Sequence, residues 1–95
     1  MITLEQLRAR RAELIALADR HKAENVRIFG SVARGEAGEG SDVDILVHFR
    51  EGASLFDLMD LEEALESLLG APVDVVSVGG LKDRDNHIRS EAVPI

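Results

Sequence analysis

Gly30 to Val47 reads Gly-Ser-Val-Ala-Arg-Gly-Glu-Ala-Gly-Glu-Gly-Ser-Asp-Val-Asp-Ile-Leu-Val. This stretch contains a Gly-Ser turn, a glycine-rich loop and two aspartates, Asp42 and Asp44, at the start of an apolar strand. Strands seldom contain aspartate, and two carboxylates on one strand face repel each other unless a cation lies between them. Because both preferences are overridden at one place, this stretch is the strongest indication of a functional site in the chain.

The strand that carries the two aspartates has two different faces. Residues 42–49 alternate as a half-buried strand does. We expect one face to pack on helices: Val43, Ile45, Val47 and Phe49. We expect the other face, which starts with polar groups, to line an open cleft: Asp42, Asp44, Leu46 and His48.

Upstream of this stretch, the sequence predicts a helix, a strand and a second, short helix. Thr3 and Gln6 have the capping-box pattern, and the helix that they start should reach about His21. Its apolar side, at helical spacing, contains Leu4, Leu7, Leu14, Ile15 and Ala18. Residues 26–29 predict a short strand, and residues 31–35 predict a short helix.

Downstream, the sequence predicts a long helix from Ser54 to Gly70, then a strand and a last helix. The core side of the long helix should contain Leu55, Leu58, Met59, Leu61, Leu65, Leu68 and Leu69. Its solvent side should contain Asp60, Glu62, Glu63 and Glu66. A third strand over residues 73–76 carries Asp74, and a last helix should cover about residues 82–92.

Length and composition limit the classes of protein that fit. The chain has 95 residues, and we expect residues 1–95 to form one domain with a single core. Its 11 Lys and Arg face 18 Asp and Glu, which gives a net charge of −7. Such a chain is not expected to bind free DNA or RNA directly, but it could bind metal cations or a basic partner. With no Cys and no apolar run long enough for a bilayer, we expect a soluble cytoplasmic protein without disulfides.

Asp42 and Asp44 are candidate ligands for a divalent cation. Alternation places both on one strand face, about 6.6 Å apart along the strand. Mg²⁺ prefers oxygen ligands, and a pair of such ions promotes in-line phosphoryl displacement. A third carboxylate is usually needed, and Asp74 is the candidate because it is the one acid within the third strand. The alternative is that Asp42 and Asp44 only form the polar half of an amphipathic strand, since so short a motif is weak evidence by itself.

Gly30, Ser31 and Arg34 are candidate ligands for a phosphate group. A Gly-Ser turn between a strand and a helix presents backbone N–H groups to an anion. The Ser31 hydroxyl can add a hydrogen bond, and Arg34 lies three residues later on the same helix face, where it can offer its fork of donors. Taken singly, Ser31 could be an ordinary N-cap and Arg34 an ordinary surface charge. Together with the aspartates, they form the two halves of a site for a nucleoside triphosphate.

These residues also match a known pattern. Gly30-Ser31, ten residues and then Asp42-Val43-Asp44 resemble the signature of the DNA polymerase β-like nucleotidyltransferases. The fuller string, Gly-Ser-x-Ala-Arg-Gly followed by Ser-Asp-x-Asp, is similar to that of the minimal nucleotidyltransferase branch, the MntA-like antitoxins. Residues 72–76 match the place of the family's third carboxylate, and residues 88–95 are similar to its usual ending. The resemblance therefore covers nearly the whole chain.

The resemblance implies an α+β fold, in which a small mixed β-sheet has helices packed on one face and the active cleft on the other. It implies that Asp42 and Asp44 bind two Mg²⁺ ions and that Asp74 completes the ion nearer the nucleophile. The implied ligands of the ATP triphosphate are Gly30, Ser31 and Arg34. The implied reaction transfers AMP from ATP to a hydroxyl group and releases pyrophosphate. In this branch the acceptor is a tyrosine on a partner HEPN-domain toxin, which the added AMP silences.

Three hypotheses for function remain at this stage. The first is Mg²⁺-dependent transfer of AMP to a partner protein, which fits a chain that lacks the acceptor-binding domains of larger family members. The second is a binding module that neutralises its partner by occlusion, with an idle nucleotide site. The third is nucleotidyl transfer to a small molecule or an RNA end, against which the missing substrate domain and the charge of −7 argue.

Overall fold

Five α-helices and four β-strands form the chain in a computed structural model that describes all 95 residues. In chain order they are α1 (Leu4–Ala9), α2 (Arg11–Arg20), β1 (Ala23–Phe29), α3 (Gly30–Arg34), β2 (Val43–Phe49), α4 (Leu55–Leu69), β3 (Val73–Ser77), α5 (Asn86–Glu91) and β4 (Val93–Pro94). Two short 3-10 helices, over residues 78–80 and 83–85, connect β3 to α5. β1 thus begins earlier than predicted and α5 later. None of the helices is long and apolar enough to span a bilayer.

The four strands form one mixed sheet with the order β3-β2-β1-β4. β1 runs antiparallel to both β2 and β4, whereas β2 runs parallel to β3. Parallel neighbours need a crossover connection, and α4 provides it between β2 and β3. The expected α+β fold with a small mixed sheet is therefore confirmed.

One face of the sheet packs against α2 and α4 and forms the main core. The predicted inward side of β2 is confirmed, since Val43, Ile45 and Val47 are at most 1 % exposed. Each fully buried side chain of this kind stabilises the fold by roughly 1.5–3 kcal/mol. This layer holds the central strands in place, and the site is built on the end of those strands.

The first predicted helix is interrupted at Arg10. The structure has two helices, α1 and α2, in place of the one that was predicted. Between them the Arg10 backbone leaves the helical region, with φ −107° and ψ 20°. Its guanidinium donates to the carbonyl of Leu68 near the end of α4 at 3.0 Å, a long-range contact that helical periodicity cannot show. The capping box of Thr3 and Gln6 is confirmed. Ile15, which was predicted to lie on the apolar side of this helix, is 42 % exposed.

The apolar stripe of α4 is broader than the face that the sheet covers. Leu61 and Leu65 are buried as predicted, whereas Leu55 and Met59 are 69 % and 54 % exposed. At 3.6 residues per turn, Leu55 and Met59 lie about 100–140° away from the buried direction. The prediction that they belong to the core was therefore wrong, because one layer of sheet covers only part of the helix circumference.

Two acids on the predicted solvent side of α4 bind the backbone of β3. The carboxylate of Glu62 accepts a hydrogen bond from the Val75 N–H at 2.9 Å, and that of Glu66 accepts one from the Val73 N–H at 3.1 Å. Glu66 is exposed, as predicted for the solvent side, and Glu62 is half-buried, but the sequence did not predict that both also bind the backbone of β3. Sequence periodicity does not reveal that this flank of the helix runs along the edge of the sheet.

The second face of the sheet is only partly open. Leu46, expected to line the cleft, is fully buried, because residues 78–80 pack against β2. The guanidinium of Arg89 in α5 donates to the carbonyl of Val78 at 3.4 Å and ties these segments together. Of the four residues predicted to line a cleft, Leu46 is therefore excluded, whereas Asp42 and His48 are exposed and Asp44 is half-buried.

Candidate active site

Strand register brings the two sequence motifs together at one end of the sheet. Asp44 pairs with Phe29, the last residue of β1, on one side and with Asp74 of β3 on the other. Gly30 follows Phe29 directly and begins α3. Asp42 lies just before β2, rather than within it as predicted, and is exposed. The Gly-Ser turn and the predicted carboxylates thus share the end of β1 and the beginnings of β2 and β3.

The carboxylate of Asp44 lies directly against Gly30. A Cβ atom built on Gly30 would be 2.1 Å from Oδ2 of Asp44, and Cβ contacts below 3.0 Å essentially do not occur. The φ of Gly30 is also +73°, in the left-handed region that favours glycine. Gly30 is therefore required both by its backbone conformation and by the close approach of the carboxylate.

The Asp44 carboxyl group lies in a negative environment. Burial raises its pKa above the ordinary value, the charges of Asp74, Asp42 and Glu91 raise that pKa further, and Arg34 lowers it. A cation between the carboxylates relieves this repulsion, and carboxylate oxygens are the ligands that Mg²⁺ prefers. The residues therefore fit a divalent cation, although no group of three acidic or histidine side chains in the chain already converges on a metal position.

Ser31 is not the N-cap of α3. The N-cap is Phe29, which makes no side-chain capping bond, and Ser31 lies inside the first turn. The alternative that assigned Ser31 an ordinary capping role was therefore wrong. Because α3 has only five residues, an anion at this position depends on backbone N–H groups and side chains rather than on the dipole of a long helix.

Arg34, the last residue of α3, is held between two carboxylates. Its Nε donates to Oε2 of Glu36 at 2.9 Å, and its Nη1 donates to Oε1 of Glu91. The contact with Glu91 joins α3 to α5, the last helix of the chain. Arg34 is exposed, as an ordinary surface charge would be, but its two ion pairs hold it beside the end of the sheet where Asp44 lies.

A comparison with known families decides the class of protein. Residues 14–93 match the nucleotidyltransferase domain family. The matched range contains the Gly-Ser turn and all three candidate aspartates. The chain belongs to this family. It is a nucleotidyltransferase, in agreement with the resemblance noted in its sequence.

Individual relatives agree with this assignment. A protein adenylyltransferase, MntA, from Thermococcus cleftensis is 47 % identical over 83 residues, which cover 86 % of this chain and 84 % of the relative. The solved structure of a minimal nucleotidyltransferase is 53 % identical in sequence. The match covers 99 % of this chain and 97 % of the chain in that structure, with a TM-score of 0.87. A more distant match is a chain in the complex of a tri-AMPylated Shewanella oneidensis HEPN toxin with an MNT antitoxin, with 19 % sequence identity. The match covers 92 % of this chain and 69 % of that chain, with a TM-score of 0.69. This more distant structure shows that the fold is shared.

Glu91 is a residue of the candidate site that local sequence patterns did not reveal. Its side chain is 21 % exposed, contacts Arg34 and adds to the negative environment of Asp44. Arg34 and Glu91 are 57 positions apart, so no local pattern links them. The available signal was the resemblance of residues 88–95 to the usual ending of the family.

The largest groove of this nucleotidyltransferase is not its candidate active site. It has a volume of about 670 Å³, lies between α2 and the beginning of β1, and contains none of the predicted site residues. The site is therefore recognised by strand register and by the concentration of charge rather than by the size of a pocket.

Proposed function

We propose that this nucleotidyltransferase transfers AMP from ATP to a tyrosine hydroxyl group on a HEPN toxin and so acts as the antitoxin of the pair. The observation that carries the proposal is the position of Gly30 and Ser31 beside Asp44 and Asp74 at one end of the sheet. The similarity to a protein named as a protein adenylyltransferase supports a protein acceptor. The AMPylated HEPN toxin in the distant complex supports this class of partner, rather than a nucleic acid or a membrane.

Gly30, Ser31 and Arg34 bind the triphosphate of ATP in this proposal. The backbone N–H groups of the turn and the Ser31 hydroxyl donate to phosphate oxygens. Glu36 and Glu91 engage Nε and Nη1 of Arg34, which leaves its Nη2 for a phosphate. The two carboxylates thus hold the guanidinium in one orientation, so that little side-chain entropy is lost when ATP binds.

Asp42, Asp44 and Asp74 would hold two Mg²⁺ ions. When bound, the ions offset the charge of the phosphates and favour ionisation of the acceptor hydroxyl. The close approach of Gly30 keeps the Asp44 carboxylate beside the turn that binds the phosphates. In the reaction, the hydroxyl gives its proton to solvent water, its oxygen bonds to the α-phosphorus, and the bond from that phosphorus to the leaving pyrophosphate breaks. Arg34 stabilises the negative charge that the departing pyrophosphate acquires.

The direct test is AMP transfer to a HEPN toxin in the presence of ATP and Mg²⁺, followed by mass spectrometry of the toxin. We expect the toxin to gain one or more AMP units. Asp44→Asn should abolish the transfer, because it removes a charged ligand from the centre of the site. Asp60→Asn, which changes an exposed acid on α4, is the matched control and should transfer AMP normally.

Two results would contradict the proposal. Wild-type transfer by the Asp44→Asn variant would remove the role given to the carboxylates. Full protection of cells from the toxin by an Asp42→Ala/Asp44→Ala variant would show that the toxin is neutralised by occlusion instead of by catalysis.

A further inference from the structure

β3 is an edge strand, and it carries Asp74. The sheet order places β3 beside β2 only, so one side of its backbone has no strand partner. N–H groups on such an edge are free to pair with another chain unless something covers them. In this protein the cover consists of two carboxylates from α4.

The two carboxylates bind the N–H groups immediately before and after Asp74. Glu66 accepts from Val73 at 3.1 Å and Glu62 accepts from Val75 at 2.9 Å. The spacing of the two elements makes both bonds possible at once. Four helical residues rise about 6 Å, and two strand residues rise about 6.6 Å, so consecutive turns of α4 match alternate residues of β3.

The side chains around these bonds point in opposite directions. Val73 and Val75 are buried in the main core between the sheet and the helices. Asp74 lies between them on the strand, so its side chain points to the opposite face, where Asp44 is its register partner. The core thus holds β3 on one face, and the two glutamates hold its outer edge.

The two glutamate hydrogen bonds hold β3 at the place where carboxylates repel one another. Asp74 and Asp44 repel each other, and Asp42 adds to the repulsion. Asp44 lies on a strand with a neighbour on each side, whereas Asp74 lies on a strand with one. The repulsion is therefore relieved most easily by displacement of β3, and the glutamate bonds oppose that displacement.

We propose that Glu62 and Glu66 are positioning residues, which hold the backbone on both sides of Asp74 so that its carboxylate stays at the distance from Asp44 that a shared metal site requires. The inference rests on the proposed role of Asp74 as a metal ligand. Partners that orient ligands in this way usually change metal affinity about 10- to 100-fold when they are removed.

The contacts themselves are tested without metal or activity. Hydrogen exchange of the Val73 and Val75 amides is measured by NMR in Glu62→Ala, in Glu66→Ala and in the double variant. We expect faster exchange at Val75 in the first and at Val73 in the second. The corresponding Gln variants should retain protection, because the Gln carbonyl accepts the same bond. Glu63→Ala, an exposed change on the same helix, is the matched control.

The positioning role is tested by Mn²⁺ binding, followed by electron paramagnetic resonance with ATP present and no acceptor protein. We expect about tenfold weaker Mn²⁺ binding in the double Ala variant, near wild-type binding in the Gln variants, and no change in Glu63→Ala. The measurements are made well below each variant's Tm, and the single Ala variants serve if the double variant does not fold. Faster amide exchange with unchanged Mn²⁺ binding would overturn the proposal and leave only edge protection.

Asp74→Asn separates this inference from the proposed function. If Asp74→Asn binds Mn²⁺ as the wild type does, the metal-binding role of Asp74 is wrong, and the positioning role is overturned with it. If Asp74→Asn loses binding but the double Ala variant keeps it, only the positioning role is overturned.

Discussion

The two sides of the site are held in place by different means. On the motif side, which consists of Gly30 and Asp44, consecutive strands place the residues in register, and a missing side chain lets them touch. On the edge side, which consists of Asp74 and Glu91, an edge strand and the last helix supply the residues, and side chains from other elements hold them. We therefore expect a substitution on the motif side to cause a large loss of activity at once. A substitution on the edge side should cause a smaller, partial loss.

The largest effect is expected on the motif side, from Gly30→Ala. The new Cβ would collide with Oδ2 of Asp44, so the carboxylate must move. Misplacement of a catalytic group by about 1 Å typically costs on the order of a hundredfold in rate. The expected result is a loss of AMP transfer of at least that size, measured with saturating ATP and Mg²⁺.

Gly35→Ala is the control for this prediction. Gly35 has φ +72°, almost the same as Gly30, but nothing lies within 4 Å of a Cβ built there. Both substitutions should therefore lower the free energy of unfolding by about 1–3 kcal/mol through backbone strain. Only Gly30→Ala should lose the transfer activity. Equal losses of AMP transfer in both variants would mean that backbone strain, rather than the collision with Asp44, is responsible. The expected large effect specific to the motif side would then be disproved.

A smaller effect is expected where the two sides meet, at Arg34. Arg34→Lys keeps the positive charge but cannot bind Glu36, Glu91 and a phosphate in one fixed plane. We expect the KM for ATP to rise roughly tenfold, which corresponds to about 1.4 kcal/mol of binding free energy, with a smaller change in kcat. Arg84→Lys, which changes an exposed residue outside the site, should leave KM unchanged. An unaltered KM in Arg34→Lys would show that the fork does not bind the triphosphate.

The smallest effect is expected on the stability of the metal-free protein, from Asp44→Asn. The pKa of Asp44 is raised in the folded state, mainly by burial and then by Asp74. The stability linked to this group is complete below the ordinary Asp pKa and is lost as the pH rises through the raised value. Charged Asp44 therefore destabilises the metal-free fold at neutral pH, and Asp44→Asn should raise Tm by a few degrees.

The pH profile of Tm checks this sign. The difference between wild type and Asp44→Asn should shrink as the pH falls below the ordinary Asp pKa, because Asp44 is then neutral in both the folded and the unfolded state. Asp60→Asn provides the comparison for an exposed acid on α4. A lower Tm for Asp44→Asn at neutral pH would mean that its charge is already compensated in the metal-free protein.

Much of the architecture was predictable, and the errors have identifiable causes. Alternation correctly assigned the core side of β2, but Leu46 on the other side is buried by residues 78–80, which lie far along the chain. Helical spacing correctly found Leu61 and Leu65, but it also included Leu55, which lies beyond the covered face of α4. Periodicity shows which face of a helix or strand is apolar. It does not show how much of that face another element will cover.

The residues of the candidate site also divide into those that the local sequence groups together and those that only the fold brings close. Gly30, Ser31, Arg34, Asp42 and Asp44 lie within 15 consecutive residues, so local chemistry was sufficient to group them. The structure brings four of the predicted residues into the shared end of the sheet, with Asp42 just outside the strand and Arg34 in contact with Glu36 and Glu91. The metal-binding and phosphate-binding roles of these residues remain predictions until the variants are measured.

By itself, the sequence determined which backbone positions can adopt a turn, which strand has a polar and an apolar side, and which acids stand out against strand preference. These properties depend on residues close together in the chain. Only the tertiary structure decided that Asp74 is the register partner of Asp44, that Glu91 meets Arg34, and that Glu62 and Glu66 bind an edge strand. Those pairings depend on the direction in which β2 and β3 run and on the path of α4 along the sheet edge. They are set by the packing of whole elements, which no local pattern contains.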